Sequence, residues 1–223
     1  MSSFSFRTMA ALSLAALVGL PAGAQTVTPD LKAVAAAKGS SGNAVLEWVE
    51  SAKGKPALKI QSKTDNAVVI LQTPELADGV IEFDILGQSA PPQSCFIGMA
   101  FRVVDETTYD AVYFRPFNFR ADDPVRKIHA VQYVSHPKYP WPVLREQKPG
   151  QYEKPIVPPP DGDAWFHARI VIRKPRVSVY VNGATEPSLV VDELSDRTGG
   201  RVALWVGPGQ GGYLANVKVT PGK

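Results

Sequence analysis

Short runs of β-branched and aromatic residues, each closed by a turn signal, recur along nearly the whole chain and leave little room for helix. The pattern is plainest in the last third. A run over 165–172 leads through Lys174-Pro175 into 176–182, where Asn182-Gly183 is a strong turn signal. A short run follows at 189–191. Runs over 201–207 and 213–219 are joined by Pro208-Gly-Gln-Gly-Gly212. Upstream, 44–49, 57–61, 67–71, 79–86, 96–104, 109–115 and 128–134 repeat the theme. In 79–86, Ile81, Phe83 and Ile85 share one face and Glu82 and Asp84 the other, the alternation of a half-buried strand. Roughly a dozen short strands with turns between them predict an all-β fold, a two-sheet antiparallel sandwich.

The first 24 residues have the layout of a secretory signal. Arg7 is their only charge, Met9 to Leu20 is mostly apolar, Pro21 breaks the run, and Ala22-Gly23-Ala24 has the small-x-small form of a cleavage site. The run is shorter than the ~20 apolar residues a membrane span needs. No cysteine follows it to carry a lipid, and no second long apolar run occurs. The expectation is an exported protein, periplasmic or extracellular, with no membrane span. Removing 1–24 leaves 199 of 223 residues and lowers the formal charge from +3 to +2. That length suits one sandwich domain over 44–223. An Ala-, Lys-, Ser- and Gly-rich lead-in over 25–43 precedes it, with the makings of a short helix over 31–38. The scattered charges form no basic stripe of the kind nucleic acid requires. The single cysteine, Cys95, excludes an internal disulfide, so stability must come from the core. Its apolar run, 95–101, marks it as a buried thiol.

The stretch from Tyr109 to Trp141 stands apart. Tyr113, Phe114, Phe117, Phe119, Tyr133, Tyr139 and Trp141 are interleaved with Arg115, Asn118, Arg120, Arg126, His129, Gln132 and His136. Rings beside planar hydrogen-bonding groups are the equipment of a site for a polar, ring-shaped ligand. A sugar stacks its C–H face on a ring, and its hydroxyls need oriented donors and acceptors. The competing reading is a strand pair whose arginines pair with nearby acids and whose aromatics are core. Arg102, Tyr113, Asn118, Gln132, Tyr133, His136 and Trp141 are the expected substrate-binding residues. Trp141 is expected as an exposed stacking ring. Trp205 shares a strand face with the small Ala203 and is expected in the core. A Pro-rich passage from His136 to Asp163, holding eight prolines, reads as a long loop. Such loops are uncommon and tend to be functional, and proline lowers the entropy lost when one closes over a ligand.

The C-terminal half carries a recognisable pattern: Trp165-Phe-His167, Val177-Ser-Val-Tyr-Val-Asn182, Pro187-Ser-Leu-Val-Val191, Gly200-Arg-Val-Ala-Leu-Trp-Val-Gly207 and Gly212-Tyr-Leu-Ala-Asn216. With Gly79-Val-Ile-Glu-Phe-Asp84 and Phe96-Ile-Gly-Met-Ala-Phe-Arg102 it resembles the concanavalin A-like lectin/glucanase superfamily. Within that superfamily it looks most like the secreted bacterial domains named 3-keto-disaccharide hydrolase or laminin-G-like. The resemblance covers about 45–219. It implies a jelly roll with one concave sheet and a ligand cleft on that sheet closed by loops. It is specific for fold and weakly so for activity, because the fold hosts lectins, hydrolases, lyases and adhesion modules.

The candidate chemistry follows from these residues. Retaining glucanases of the superfamily use a strand with two glutamates separated by an aspartate. Glu82-Phe-Asp84-Ile-Leu-Gly87 matches the first two positions and then has Leu86 and Gly87 where the second glutamate belongs. Without that paired acid, double displacement lacks its proton donor. Glu82 and Asp84 therefore stand either as catalytic carboxylates of another kind or as a solvated strand face. His129 is the first candidate for a general base acting beside the carbonyl of a keto-sugar, and His136 the second. Arg115 is the candidate to stabilise an enolate or alkoxide oxygen. His167 fits a packing or surface position. No histidine has metal-ligand spacing, and Asp122-Asp123 and Asp161-Gly-Asp163 read as turn acids, so neither a cofactor nor a calcium ion is indicated. Two readings result. One is a carbohydrate-active enzyme hydrolysing or eliminating a glycoside or 3-keto-glycoside. The other is a non-catalytic carbohydrate-binding or adhesion module. Convergence of His129 and Arg115 with Glu82 or Asp84 in one cleft would favour the first.

Overall fold

The computed structural model describes residues 25–37, 42–91 and 94–222. The signal-like segment 1–24 lies outside the described residues, as does Lys38 of the expected helix. In chain order the elements are α1 (Leu31–Ala36), β1 (Ala44–Ala52), β2 (Lys55–Ser62), β3 (Ala67–Ile70), β4 (Gly79–Leu86), β5 (Ile97–Val103) and β6 (Tyr109–Phe114). A 3-10 turn (Pro116–Asn118), α2 (Pro124–Lys127), β7 (Val131–His136), α3 (Trp141–Gln147) and β8 (Glu153–Lys154) follow. The chain ends with β9 (Trp165–Arg173), β10 (Arg176–Val181), β11 (Leu189–Asp192), β12 (Arg201–Val206) and β13 (Gly212–Pro221).

The strands form two antiparallel sheets packed as a sandwich, as the strand pattern predicts. The seven-stranded sheet runs β1-β2-β13-β4-β9-β10-β11, and the six-stranded sheet β3-β12-β5-β6-β7-β8. Alternation decides what meets between them. Ile81, Phe83 and Ile85 of β4 point inward and are buried, as is Phe166 of β9. Phe114 of β6 faces them from the other sheet, with ring centroids 6.4 Å from Phe83 and 5.3 Å from Phe166. Cys95 is buried among these residues, and burial pushes its thiol up to about 12, so it is an inert filler.

The lead-in belongs to this body. Asp30 caps α1 by accepting from the backbone N–H groups of Lys32 and Ala33, each at 3.0 Å. Leu31 enters the core, and Val27 bridges to Val219 of β13.

Three expectations are corrected. The second strand of the 109–141 stretch begins at Val131, not Ile128. Asp123 accepts from the Val125 N–H at 2.8 Å and starts α2, which carries the chain through Ile128, leaving His129 in the connection to β7. The Pro-rich passage is not all loop: Pro140 and Pro142 sit at the start of α3, where a missing N–H costs nothing, and Leu144 buries its inner face. Trp141 is thus a helix residue. Arg102 does not face a ligand. It sits at a bulge with φ +53° and is 1% exposed. Its Nε and Nη2 hold Glu193 in a fork at 3.0 Å each, and its Nη1 donates to the Thr198 carbonyl at 2.7 Å.

Candidate functional site

The two connections flanking β7 fold over the outer face of the six-stranded sheet and enclose a cavity of about 400 Å³ there. Its floor is a register row. Trp205 of β12 lies opposite Gly98 of β5, Gly98 opposite Tyr113 of β6, Tyr113 opposite Gln132 of β7, and Gln132 opposite Glu153 of β8. Gly98 has no side chain, so the rings of Trp205 and Tyr113 stack across it with centroids 4.5 Å apart. The Trp205 indole N–H donates to the Tyr109 hydroxyl at 3.1 Å. Trp205 is buried as expected, but on the outer face, where it lines the cavity instead of the space between the sheets.

Polar groups stand on the other half of the row. Arg115 is 5% exposed and follows β6 directly. Its Nη2 donates to the Tyr113 hydroxyl and to Gln132 Oε1, both at 2.6 Å, and Tyr113 in turn donates to Gln132 Oε1 at 2.9 Å. Burial pushes the Tyr113 phenol up to about 12, so it stays a neutral donor. Asn118 ties two segments together: its amide N–H donates to the His129 carbonyl at 3.2 Å, and its carbonyl accepts from Arg126 Nε at 3.2 Å.

Glu153, 3% exposed, joins the cluster from β8. It accepts from Arg145 Nε at 3.2 and 3.3 Å and from Arg145 Nη2 at 3.1 Å. Arg115 Nη1 is 3.6 Å from it. His129 Nδ1 is 2.6 Å from Glu153 Oε2, a close polar contact at the cavity wall. Arg145 also lies over the Trp141 ring at 4.7 Å, one helical turn away on α3. Trp141 is 47% exposed at the cavity rim.

Burial lowers the His129 pKa from its ordinary value; Arg145 and Arg115 push the same way, and Glu153 opposes them. The imidazole is therefore neutral at pH 7 and competent to accept a proton. His136 is also lowered by burial. The unfolded chain takes up these protons more readily than the folded one. Their contribution is full above about pH 6.5, the unfolded imidazole value, and is lost as the pH falls from there through the lower folded values. Both histidines should titrate below 6.5 by NMR, and urea midpoints should fall between pH 7.5 and 5.5. A His129 midpoint above 6.5 would contradict the burial argument.

Of the expected site residues, the structure brings His129, Arg115, Tyr113, Asn118 and Trp141 to this cavity, with Gln132 directly behind it. Tyr133 points inward and is buried; its hydroxyl accepts from the Leu194 N–H at 3.1 Å. His136 stacks on Tyr109 at 4.8 Å and does not line the cavity. Glu82 and Asp84 lie on the outer face of the other sheet, so at least the ~10 Å between packed sheets separates them from His129. The single-cleft convergence of these carboxylates with His129 and Arg115 does not occur. Asp84 is matched locally by Lys55 at 2.7 Å, Asn216 at 2.8 Å and His167 at 2.8 Å. Burial raises its pKa, but these hydrogen bonds outweigh burial and hold it below the ordinary value. Among the residues that escaped the sequence reading as site members are Glu153, Arg145, Trp205 and Phe96, the last with its ring 5.6 Å from the Arg115 guanidinium. No sequence signal singled out Glu153: Asp105, Glu106, Asp110, Asp122 and Asp123 all lie nearer to Arg115 in the chain.

No family model and no curated protein matches the chain. Among solved structures, it is similar to the carbohydrate-binding module CBM66 from Bacillus subtilis, at 14% identity and a TM-score of 0.51, over 79% of this chain and 94% of that one. Domain 4 of AbnA, an extracellular arabinanase from Geobacillus stearothermophilus, aligns at 15% identity and a TM-score of 0.45, over 80% of this chain and 76% of that one. A Bacillus subtilis protein with a galectin-like fold aligns at 14% identity and a TM-score of 0.45, over 80% and 89% respectively. At such identities the likeness to the Bacillus module is one of fold, and it agrees with the two-sheet antiparallel sandwich.

Proposed function

We propose that this is an exported carbohydrate-binding protein whose cavity on the outer face of the six-stranded sheet takes a sugar ring. One observation carries the reading: the exposed Trp141 ring and the stacked Tyr113–Trp205 floor share one cavity with fixed guanidinium and imidazole groups. Rings receive the C–H face of a pyranose or furanose, and planar donors orient its hydroxyls. A cavity of about 400 Å³ suits a small ligand or the terminal unit of a chain. The fold shared with a carbohydrate-binding module of Bacillus subtilis is in keeping with this use, and the signal-like N-terminus supports export.

Titration of the protein with a panel of glycosides and their 3-keto derivatives, followed by tryptophan fluorescence and mass spectrometry, tests the reading. Trp141→Ala should weaken binding about tenfold or more. Its stability should change little, because the ring is half exposed. Unchanged affinity in this variant would remove the stacking role.

A second reading is favoured by the neutral His129 in contact with Glu153 at the cavity wall. A 3-keto-glycoside has an acidic C–H beside its carbonyl. His129 would take that proton, and Arg115 or Arg145 would hold the enolate oxygen. The returning electron pair would form a C–C double bond as it expels the glycosidic oxygen from the neighbouring carbon, the imidazolium returning its proton to that oxygen. Conversion of the keto-glycoside but not its parent, lost in His129→Ala, is the result this reading expects. A retaining glycosidase mechanism finds no support, because Glu82 and Asp84 lie on the opposite face and, among the described residues, no second glutamate lines their pocket.

A further inference from the structure

We propose that the sugar taken by this cavity is an acidic one, a uronate-type unit whose carboxylate is received by the arginine wall. The proposal rests on the sugar-binding reading and specifies its ligand. Arg115, Arg126 and Arg145 all line the cavity, and no carboxylate does so among the described residues. The one acid in the cluster, Glu153, lies behind them and serves Arg145 and Arg115 together while also touching His129. One negative charge shared between two buried or half-buried guanidiniums leaves an excess of positive charge at the cavity wall. His129 contributes no negative charge to offset this.

The donor and acceptor balance points the same way. A neutral sugar presents hydroxyls that need acceptors as well as donors. The Asn118 carbonyl is already engaged by Arg126, and one of its N–H groups donates to the His129 carbonyl. The Tyr113 proton goes to Gln132. Guanidiniums offer only donors. Arg145 gives Nε and Nη2 to Glu153, and Arg115 gives Nη2 to Tyr113 and Gln132, so a ligand carboxylate would meet the remaining Nη1 group of Arg145 and the net positive charge of the wall. Burial pushes the Arg115 pKa down and the neighbouring Arg145 adds to this, while Tyr113 and Glu153 oppose it. The aromatic half of the cavity then takes the ring, and the arginine half takes its acid group.

Calorimetry on the purified protein tests this with four probes. These are oligosaccharides of glucuronate and galacturonate, the methyl esters of the same oligosaccharides, the neutral gluco- and galacto-oligosaccharides, and sulfated galactan oligosaccharides. The acids should bind roughly ten- to a hundredfold tighter than their methyl esters. The preference should shrink at high salt. It should fall toward unity in Arg145→Gln and in Arg126→Gln, two variants that perturb the fold by different routes. Esters or neutral sugars that bind as tightly as the acids would overturn the proposal and leave the sugar-binding reading in place. Tighter binding of the sulfated probe than of any uronate would overturn the carboxylate assignment. Failure of every sugar probe would overturn both readings.

Discussion

Replacing Glu153 with alanine is expected to destabilise the protein by about 3–5 kcal/mol, the range seen when one partner of a buried ion pair is removed. Arg115 is the reason. At 5% exposure its guanidinium cannot turn to water, and the Glu153 carboxylate 3.6 Å away is the nearest negative charge recorded for it. Arg145 is different: its side chain is 31% exposed, so its charge stays partly solvated when the acid is gone. Glu153→Gln should cost less, since the amide keeps an acceptor for Arg145 while surrendering the charge. Both variants also withdraw the negative charge that supports His129 protonation, so the imidazole should titrate still lower than in the parent. Urea denaturation and an NMR titration of His129 measure the two effects. An alanine variant within about 1 kcal/mol of the parent would mean that Arg115 finds its compensation elsewhere.

The strands were legible where a buried face repeats every second residue over enough length. Ile81, Phe83 and Ile85 of β4 are such a case, and so are the alternating buried positions of β9. The site was legible in part because its rings and forks crowd one stretch of chain: Tyr113, Arg115, Asn118, His129 and Trp141 fall within 33 residues and meet around one cavity. What stayed hidden lacks a period. β8 has two residues, too few to alternate, so Glu153 looked like a loop acid. α3 begins between two prolines, which read as loop stiffeners until their place in the first helical turn is seen. Glu82 and Asp84 illustrate a different limit. Alternation put them correctly on one outward face, but a sandwich has two outward faces, and only the strand order decides which one carries the cavity. Arg102 misled for a related reason. A charged residue in an apolar strand suggests a ligand, whereas its partner, Glu193, lies 91 residues away in sequence beside the end of β11.

Gly98→Ala is expected to be more damaging than any change at the cavity rim. A Cβ at Gly98 would strike the Val112 carbonyl oxygen and lie 2.6 Å from Tyr113 Cα and 3.0 Å from Tyr113 Cβ. Two of these three atoms are backbone, so no rotamer change relieves the contact. β5 is a central strand, held by β12 on one side and β6 on the other, and room can come only from prising β5 and β6 apart. Overpacking of this kind costs about 1–3 kcal/mol when side chains can yield. With backbone as the obstacle, the expected loss lies at or above the top of that range. The effect reaches the site because the same separation carries Tyr113 away from Trp205, opening the 4.5 Å stack that forms the floor. Tyr113 also positions Arg115 through its hydroxyl at 2.6 Å, so the guanidinium moves with it. Molecules that still fold should therefore lose ligand affinity by more than Trp141→Ala does, and their tryptophan emission should shift to the red as water reaches Trp205. Denaturation and ligand titration of the same sample separate the two losses. If Gly98→Ala keeps parental stability but loses binding, the strands adapt and only the floor depends on this glycine. If it keeps both, the close approach of β5 and β6 is not what holds the rings together.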